Sequence, residues 1–427
     1  MRSRTDTLIL GAGPAGIGAG IALGNECILV ERASEVGGQS KTIRIGEAFF
    51  DVGGHSFHTH HRDVKELVYK SLEMFDQRRN AQCLTHGVLI PYPFQQHFHL
   101  IPDSEVVDKC ATGLQAISPV SSVSNFQEYI VARFGQGIAD EFMIPYNQKL
   151  WAHDLRELDV DWVGERVADA KDAVNSEGSD ADSRKPLVST SKVGYPARGG
   201  FGEIYEALAA RLSNLRLGVT IRKIDSKSKR ALTAEGDIFE YNRLISTLPL
   251  TEIVRLIDPY PAHLEADLQR LKYMSLICAM VAVDHPVDTE IQRVYCADSS
   301  TLAHKIAFNH NSSDWLRQRR HHGIVGEISY SPVKAAVNGN LLELFIEELV
   351  RCGFVRSPRN VIGGRLIDVK YGYPIPSRDR RAIVGQIMAF LTELDIHSIG
   401  RFGEWAYINS DEAISRGLKV TARIAAA

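Results

Sequence analysis

Leu8-Ile9-Leu10-Gly11-Ala12-Gly13-Pro14-Ala15-Gly16 runs an apolar strand straight into Gly-x-Gly-x-x-Gly, and Leu29-Val30-Glu31-Arg32 ends a second apolar run on an acid. Strand, glycine turn, helix and acid follow one another in the order and spacing of a dinucleotide-binding βαβ unit. Gly11 permits the tight turn, Gly13 lets backbone N–H groups approach a pyrophosphate, and Gly16 lets the helix pack closely on the strand. Glu31 is placed to accept hydrogen bonds from an adenosine ribose, and its charge opposes a ribose 2′-phosphate, so NADP is not expected as the resident nucleotide.

The rest of the chain sets limits. Its 427 residues exceed one ordinary core, so two or three domains are expected. The 49 Lys and Arg nearly balance 52 Asp and Glu, for a net charge of -3 that gives no general attraction for nucleic acid or anionic lipid. The basic run Arg317-Gln318-Arg319-Arg320-His321-His322 reads as a solvated surface segment. Cysteines 27, 83, 110, 278, 296 and 352 form no C-x-x-C pair, so neither a zinc site nor a disulfide framework is expected, and a reducing compartment is. The first strand begins close to Met1, leaving no room for a signal peptide, and no apolar run is long enough to span a bilayer. A cytoplasmic protein without membrane insertion is the expectation.

Patterning divides the chain. Residues 1–75 read as α/β, with a helix over Ala15–Leu23, a strand over Cys27–Val30 and the loop Val36-Gly37-Gly38-Gln39-Ser40. Residues 76–192 read as mainly helical, with three-and-four apolar spacing in Phe126–Phe134 and a mobile loop over 175–192. Residues 193–250 return to α/β: a helix over Gly202–Leu212, a strand near Leu217–Ile221, and the strand Leu244–Pro249, which is expected to rejoin the first sheet. Residues 251–360 carry the β-patterned runs Ser275–Val283 and Gly323–Tyr330, expected to form an antiparallel substrate-side sheet. Residues 361–427 rejoin the nucleotide-binding domain and end in a helix from about Asp411. No internal repeat is present.

Five segments, in this order, resemble the flavin-dependent UDP-galactopyranose mutases, especially the eukaryotic-type branch, within the amine oxidase-like flavoproteins. They are Asp51-Val52-Gly53-Gly54-His55; Pro91-Tyr92-Pro93-Phe94-Gln95; Pro145-Tyr146-Asn147 through Trp151 to Trp162-Val163-Gly164-Glu165-Arg166-Val167; Tyr195-Pro196-Ala197-Arg198-Gly199-Gly200; and Gly400-Arg401-Phe402-Gly403-Glu404-Trp405. The third block discriminates, since the glycine turn fits any FAD or NAD protein. The fold implied is α/β: a Rossmann-type FAD-binding domain, an inserted helical domain and an antiparallel β-sheet substrate domain.

The resemblance implies FAD as cofactor, active when reduced by NAD(P)H or another reductant. Its binding residues would be Gly11, Gly13, Ala15, Gly16, Glu31 and Arg32 on the first unit, then Gly38, Gln39 and Ser40, and Gly53, Gly54 and His55 beside the isoalloxazine ring. Val219, Gly403, Asn409 and Asp411 would complete the set. The implied reaction interconverts pyranose and furanose forms of a nucleotide sugar through attack by flavin N5 on the anomeric carbon. His55, Arg166 and Arg401 take catalytic positions. Tyr295, Tyr373 and Tyr407 would grip the diphosphate, Tyr92, Phe94 and Gln95 would lie near the uridine, and Trp151 would line the sugar pocket. His58, His60 and His61 have no companion Cys or acid cluster in the sequence, so no metal is expected.

The sequence also departs from the family. A diphosphate-binding arginine falls on His304, or on Lys305 if a gap moves, and either substitute lacks the bidentate guanidinium fork. An expected asparagine is replaced near Thr190, and Ala406 stands where the family often has arginine. The chain is shorter than eukaryotic-type members, so their oligomer contacts do not carry over, and a homo-oligomer stays open. Two alternatives also remain: an amine oxidase-like oxidoreductase, and a flavin-binding protein that has lost mutase activity.

Overall fold

The computed structural model describes residues 2–118, 122–164, 167–168 and 191–426. The strands Arg2–Leu10 and Cys27–Val30 pair in parallel, Leu8 opposite Ile28 and Leu10 opposite Val30, with the helix Pro14–Leu23 between them. Both strands are buried over the paired residues, which explains their unbroken apolar runs. Ile238–Ser246 pairs in parallel on the other side of Arg2–Leu10, so the return strand does rejoin this sheet, although it stops at Ser246 rather than Pro249. Ile396–Ser398 then pairs with Ile238–Ser246.

The strand expected over 217–221 is not there. Leu215–Arg216 joins Cys27–Val30, and Ile221–Asp225 belongs to a hairpin with Arg230–Thr233. Gly218, at φ +72°, turns the chain between the two pieces, a conformation that a continuous strand does not accommodate.

A second, seven-stranded sheet runs in the order Val361–Pro374, Tyr273–Val283, His322–Tyr330, Lys305–Phe308, Arg293–Cys296, Ala81–Thr85 and Val88–Pro91. Its pairs are antiparallel except Arg293–Cys296 with Ala81–Thr85. The stretch 76–192, expected to be mainly helical, therefore opens on strands. The hairpin turn at His86-Gly87, both at positive φ, joins two strands of five and four residues, too short and too irregular in pattern to stand out beside the stronger helical signal downstream. Helices follow at Ser104–Gln115, Phe126–Ile138 and Ile144–Trp151. Val361–Pro374, grouped by sequence with the nucleotide half, is an edge strand of this second sheet.

The expected terminal helix is two, Ser410–Leu418 and Val420–Ala426, parted at Lys419. Ser410–Leu418 lies on Pro14–Leu23 at backbone contact. A Cβ on Gly18 would fall 2.5 Å from the Ile414 carbonyl oxygen, and one on Gly417 would fall 2.2 Å from that of Ala15. His322, at the end of the basic run, is buried and stacked on His310 at 3.9 Å rather than solvated. No described helix is long and apolar enough to cross a membrane.

Candidate active site and cofactor cleft

The glycine turn has the geometry its spacing requires. Gly11 sits at φ +98°, its N–H donating to Val30 O at 2.8 Å, and a Cβ on Gly16 would lie 1.9 Å from Gly11 O. Gly13 is the N-cap of Pro14–Leu23 with no side chain capping it, and a Cβ placed there would meet nothing within 4 Å. Free helix N–H groups at an open position make a seat for a phosphate, so the residues present fit a dinucleotide. Ala15 is buried at the start of the same helix. Glu31 accepts from Ala12 N at 2.8 Å and Ala33 N at 2.9 Å, which fixes the acid beside the turn. Val219 N donates to Glu31 O at 2.8 Å, placing Val219 next to it, whereas Arg32 is exposed. The loop Gly38–Ser40 folds back so that a Cβ on Gly38 would be 3.3 Å from Gly13 Cα.

From this turn a cleft continues inward. It is lined by Gln39, by Gly53, Gly54 and His55, by Arg79, Arg293, Tyr295, Lys305 and Glu327 from the second sheet and its approach, and by Tyr373, Arg401, Asn409 and Asp411. Strand register explains the grouping. Tyr295 opposes Lys305, and Lys305 opposes Glu327, so three polar groups stand in a row across adjacent strands. Arg293 is two residues from Tyr295 on the same strand and shares its face.

Glu327 is the hub. It is 1 % exposed, lies 2.7 Å from Lys305 Nζ and 3.6 Å from His304 Nε2, and accepts from Gly54 N at 2.6 Å. Burial works to raise its pKa, but Lys305 and His304 outweigh that and hold it well below the ordinary carboxylate range. Burial works to lower that of Lys305, and Glu327 raises it on balance, so the pair is ionised. His55 packs face to face on Phe201 at 4.8 Å with Nδ1 2.9 Å from Gly53 O. Burial, then Lys305, pushes its pKa down to about 3, so it is neutral at pH 7 and available as an acceptor. Tyr295 is pulled below the ordinary phenol value: burial alone would raise it, but Arg79, Arg293 and Lys305 outweigh burial.

The remaining expected residues divide. Arg401 reaches the cleft with its guanidinium 4.8 Å from the centre of the Tyr373 ring, anchored by Nε to Ile408 O at 2.9 Å. Tyr373, Tyr407, Trp151 and Trp162 form one aromatic wall, with Tyr373–Tyr407 at 5.0 Å and Trp151–Tyr407 at 5.4 Å. Trp151 is 1 % exposed, and its indole N–H has no hydrogen-bond partner among the described residues. Tyr92 stacks near Tyr295 at 4.7 Å. Phe94 and Gln95 do not reach the cleft: Phe94 stacks on Phe142 in the helical core, and the Gln95 amide donates to Ala168 O at 2.6 Å. Gly403 does not line it either, since its missing side chain accommodates the Ile399 carbonyl, 2.1 Å from where a Cβ would be. His304 is buried behind the cleft, with Nδ1 3.1 Å from Ser329 Oγ, while Lys305 faces into it. Arg166, the loop over 175–190 and Thr190 lie outside the described residues.

Arg79, Arg293 and Glu327 were not found from sequence. Arg293 had a legible signal in its two-residue offset from Tyr295, and Glu327 and Arg79 had none, because cross-strand register and hairpin placement bring them in. The histidine cluster, for its part, has an acid that sequence did not supply. His60, His61 and Asp411 place ligand atoms within 4.8 Å of one another, although His61 Nε2 is already 2.5 Å from Glu412.

Residues 20–339 match the family model of the flavin-containing amine oxidoreductases. A crystal structure of reduced UDP-galactopyranose mutase matches with a TM-score of 0.88 at 25% identity, over 99% of this chain and 96% of that one. Putrescine oxidase bound to putrescine matches at 0.66 and 17% identity over the whole of both chains. A conjugated-linoleic-acid-producing fatty acid isomerase from P. acnes matches at 0.67 and 16% over 98% of each. These likenesses establish a flavin amine oxidase-like fold, and with the family match they make FAD the cofactor.

Proposed function

The chain belongs to the flavin-containing amine oxidoreductase family, and we propose that within it this protein is a mutase that interconverts pyranose and furanose forms of a nucleotide sugar, UDP-galactopyranose or a related nucleotide hexose. The observation that carries this reading is the charge of the cleft. Arg79, Arg293, Lys305 and Arg401 line it against the carboxylates of Glu327 and Asp411, with the hydroxyls of Tyr295 and Tyr373 among them. Guanidinium and phenol groups in a recessed cleft suit a diphosphate and oppose the ammonium of an amine substrate.

FAD would lie along the Gly11–Gly16 turn, with Glu31 on the ribose side and the Gly53-Gly54-His55 loop against its ring. When bound and reduced, it supplies an electron-rich nitrogen as the nucleophile for the anomeric carbon. The protein's own part is positional and electrostatic. Glu327 fixes the glycine loop through Gly54 N–H, and neutral His55 offers a ring nitrogen that can accept a hydrogen bond from a sugar hydroxyl. Trp151, Tyr373 and Tyr407 shape the sugar pocket and exclude water. Arg401 and the tyrosines stabilise the departing diphosphate.

The test is to incubate dithionite-reduced protein with a panel of nucleotide-linked hexoses and look for ring-contracted products. Turnover is expected only after reduction. Equal turnover by oxidised protein, or oxidation of amines with no mutase product, would overturn the reading.

A further inference from the structure

We propose that Arg79 is a diphosphate-binding residue, supplying from a different strand junction the guanidinium fork that position 304 lacks. This rests on the reading above that the substrate is a nucleotide sugar.

The side chains at 304 and 305 are committed elsewhere. His304 is 1 % exposed, does not reach the cleft, and has its two ring nitrogens beside Ser329 Oγ and the Glu327 carboxylate. Lys305 does face the cleft, but its ammonium is 2.7 Å from Glu327, and a lysine offers a point charge rather than two parallel donors.

Arg79 comes from the connection between the strands Met74–Arg78 and Ala81–Thr85. Its backbone N–H donates to Ser191 O at 2.8 Å, which ties the connection down. The side chain is 4 % exposed, yet it is part of the cleft lining. Nη2 donates to the Tyr295 hydroxyl, and the guanidinium carbon lies 4.9 Å from the centre of the Tyr92 ring and 5.7 Å from that of Tyr295. The rings of Tyr92 and Tyr295 and the Tyr295 hydroxyl hold the group flat and oriented, so little rotamer freedom remains to be lost when it meets an anion. Tyr92 and Tyr295 are themselves positions that the resemblance assigns to the uridine and diphosphate. The arginine is therefore seated between the two tyrosines where the nucleotide's charge would lie, and Arg293 stands on the same face as Tyr295.

The experiment uses FAD-loaded protein and follows flavin absorbance and fluorescence during titration with UDP, GDP and TDP, and with the matching nucleosides. Wild-type protein is expected to bind at least one diphosphate far more tightly than its nucleoside. Arg79→Gln should weaken that diphosphate by about ten- to a hundredfold, the range for a charge-assisted hydrogen-bond pair, and leave the nucleoside unchanged. Arg79→Lys should fall between, because one point charge replaces the fork. If Arg79→Gln does not retain FAD, the lysine variant carries the test alone, with the same selective loss required. A diphosphate affinity unchanged in both variants, or an equal loss for diphosphate and nucleoside, overturns the assignment and leaves the nucleotide-sugar reading standing. Wild-type protein that binds none of the diphosphates overturns both.

Discussion

Replacing Glu327 by Gln tests whether the cleft is organised around a buried ion pair. The glutamine carbonyl can still accept from Gly54 N–H, so the substitution removes the negative charge while sparing the glycine loop. Lys305 is then left in a dry site with its counter-charge gone. Breaking a buried pair in this way costs about 3–5 kcal/mol. Unfolding entropy of about 2.1 cal/mol/K per residue, over a chain of 427 residues, makes about 0.9 kcal/mol per degree, so Tm should fall by about 3–6 °C. Lys305→Met should cost about the same by stranding the carboxylate. The double variant buries two neutral groups of similar bulk and should recover to within about 1–2 kcal/mol of wild type. Calorimetry at saturating FAD and one fixed scan rate reads all four proteins with the cofactor contribution held constant. Because the folded protein holds the Glu327 pKa low, the stabilisation it gives is present above the ordinary carboxylate range and lost as pH falls below it. The deficit of E327Q should therefore be constant from pH 8 to pH 6. Additive losses, with the double variant melting as low as the two deficits summed, would refute the pairing and the role of Glu327 as hub.

Asp51 should impose the opposite pH dependence. Burial raises its pKa from 3.8 to about 6 despite donors from Thr42 and Tyr195, so its stabilising contribution is full below about 4 and is lost as pH rises through 6. That change is worth about 3 kcal/mol in all, with roughly half of it falling between pH 5 and 8. Urea melts of Asp51→Asn should be correspondingly flatter than those of wild type over that window, and parallel curves would place the carboxyl in water. Gly16→Val should empty the nucleotide site, since its Cβ would start 1.9 Å from Gly11 O and force helix and turn apart. Overpacking of about 1–3 kcal/mol should lower FAD affinity by about ten- to a hundredfold, read as the flavin-to-protein ratio after dialysis, and undiminished flavin would contradict the turn's geometry.

The nucleotide turn was legible because its constraints are local: Gly11, Gly13, Gly16 and Glu31 are fixed by one strand, one helix and their junction. The antiparallel sheet was legible in the β-patterned runs Ser275–Val283 and Gly323–Tyr330, though not in its order. Register is a non-local property, so nothing near Glu327 in sequence told that it stands beside Lys305, and nothing near Arg79 told that its connection runs past Tyr295. Phe94 and Gln95 were read as ligand contacts because a motif gives the residue and not the direction in which it points. The same holds for Gly403, whose glycine answers a carbonyl rather than a cofactor. His304 failed informatively, since the residue that departs from the family pattern is tied into the Glu327 network instead of facing the cleft.

The backbone contact of Gly18 with Ile414, and of Gly417 with Ala15, has a consequence for biosynthesis. The helix that opens the nucleotide unit leaves the ribosome long before the helix that clasps it and before Asn409 and Asp411 on the cleft wall. Until residues 410–418 emerge, the opening helix waits with its contact face bare and the cleft lacks the wall that Asn409 and Asp411 supply. Flavin retention is therefore expected to follow synthesis of that helix, and a nascent chain arrested before residue 400 is expected to be colourless.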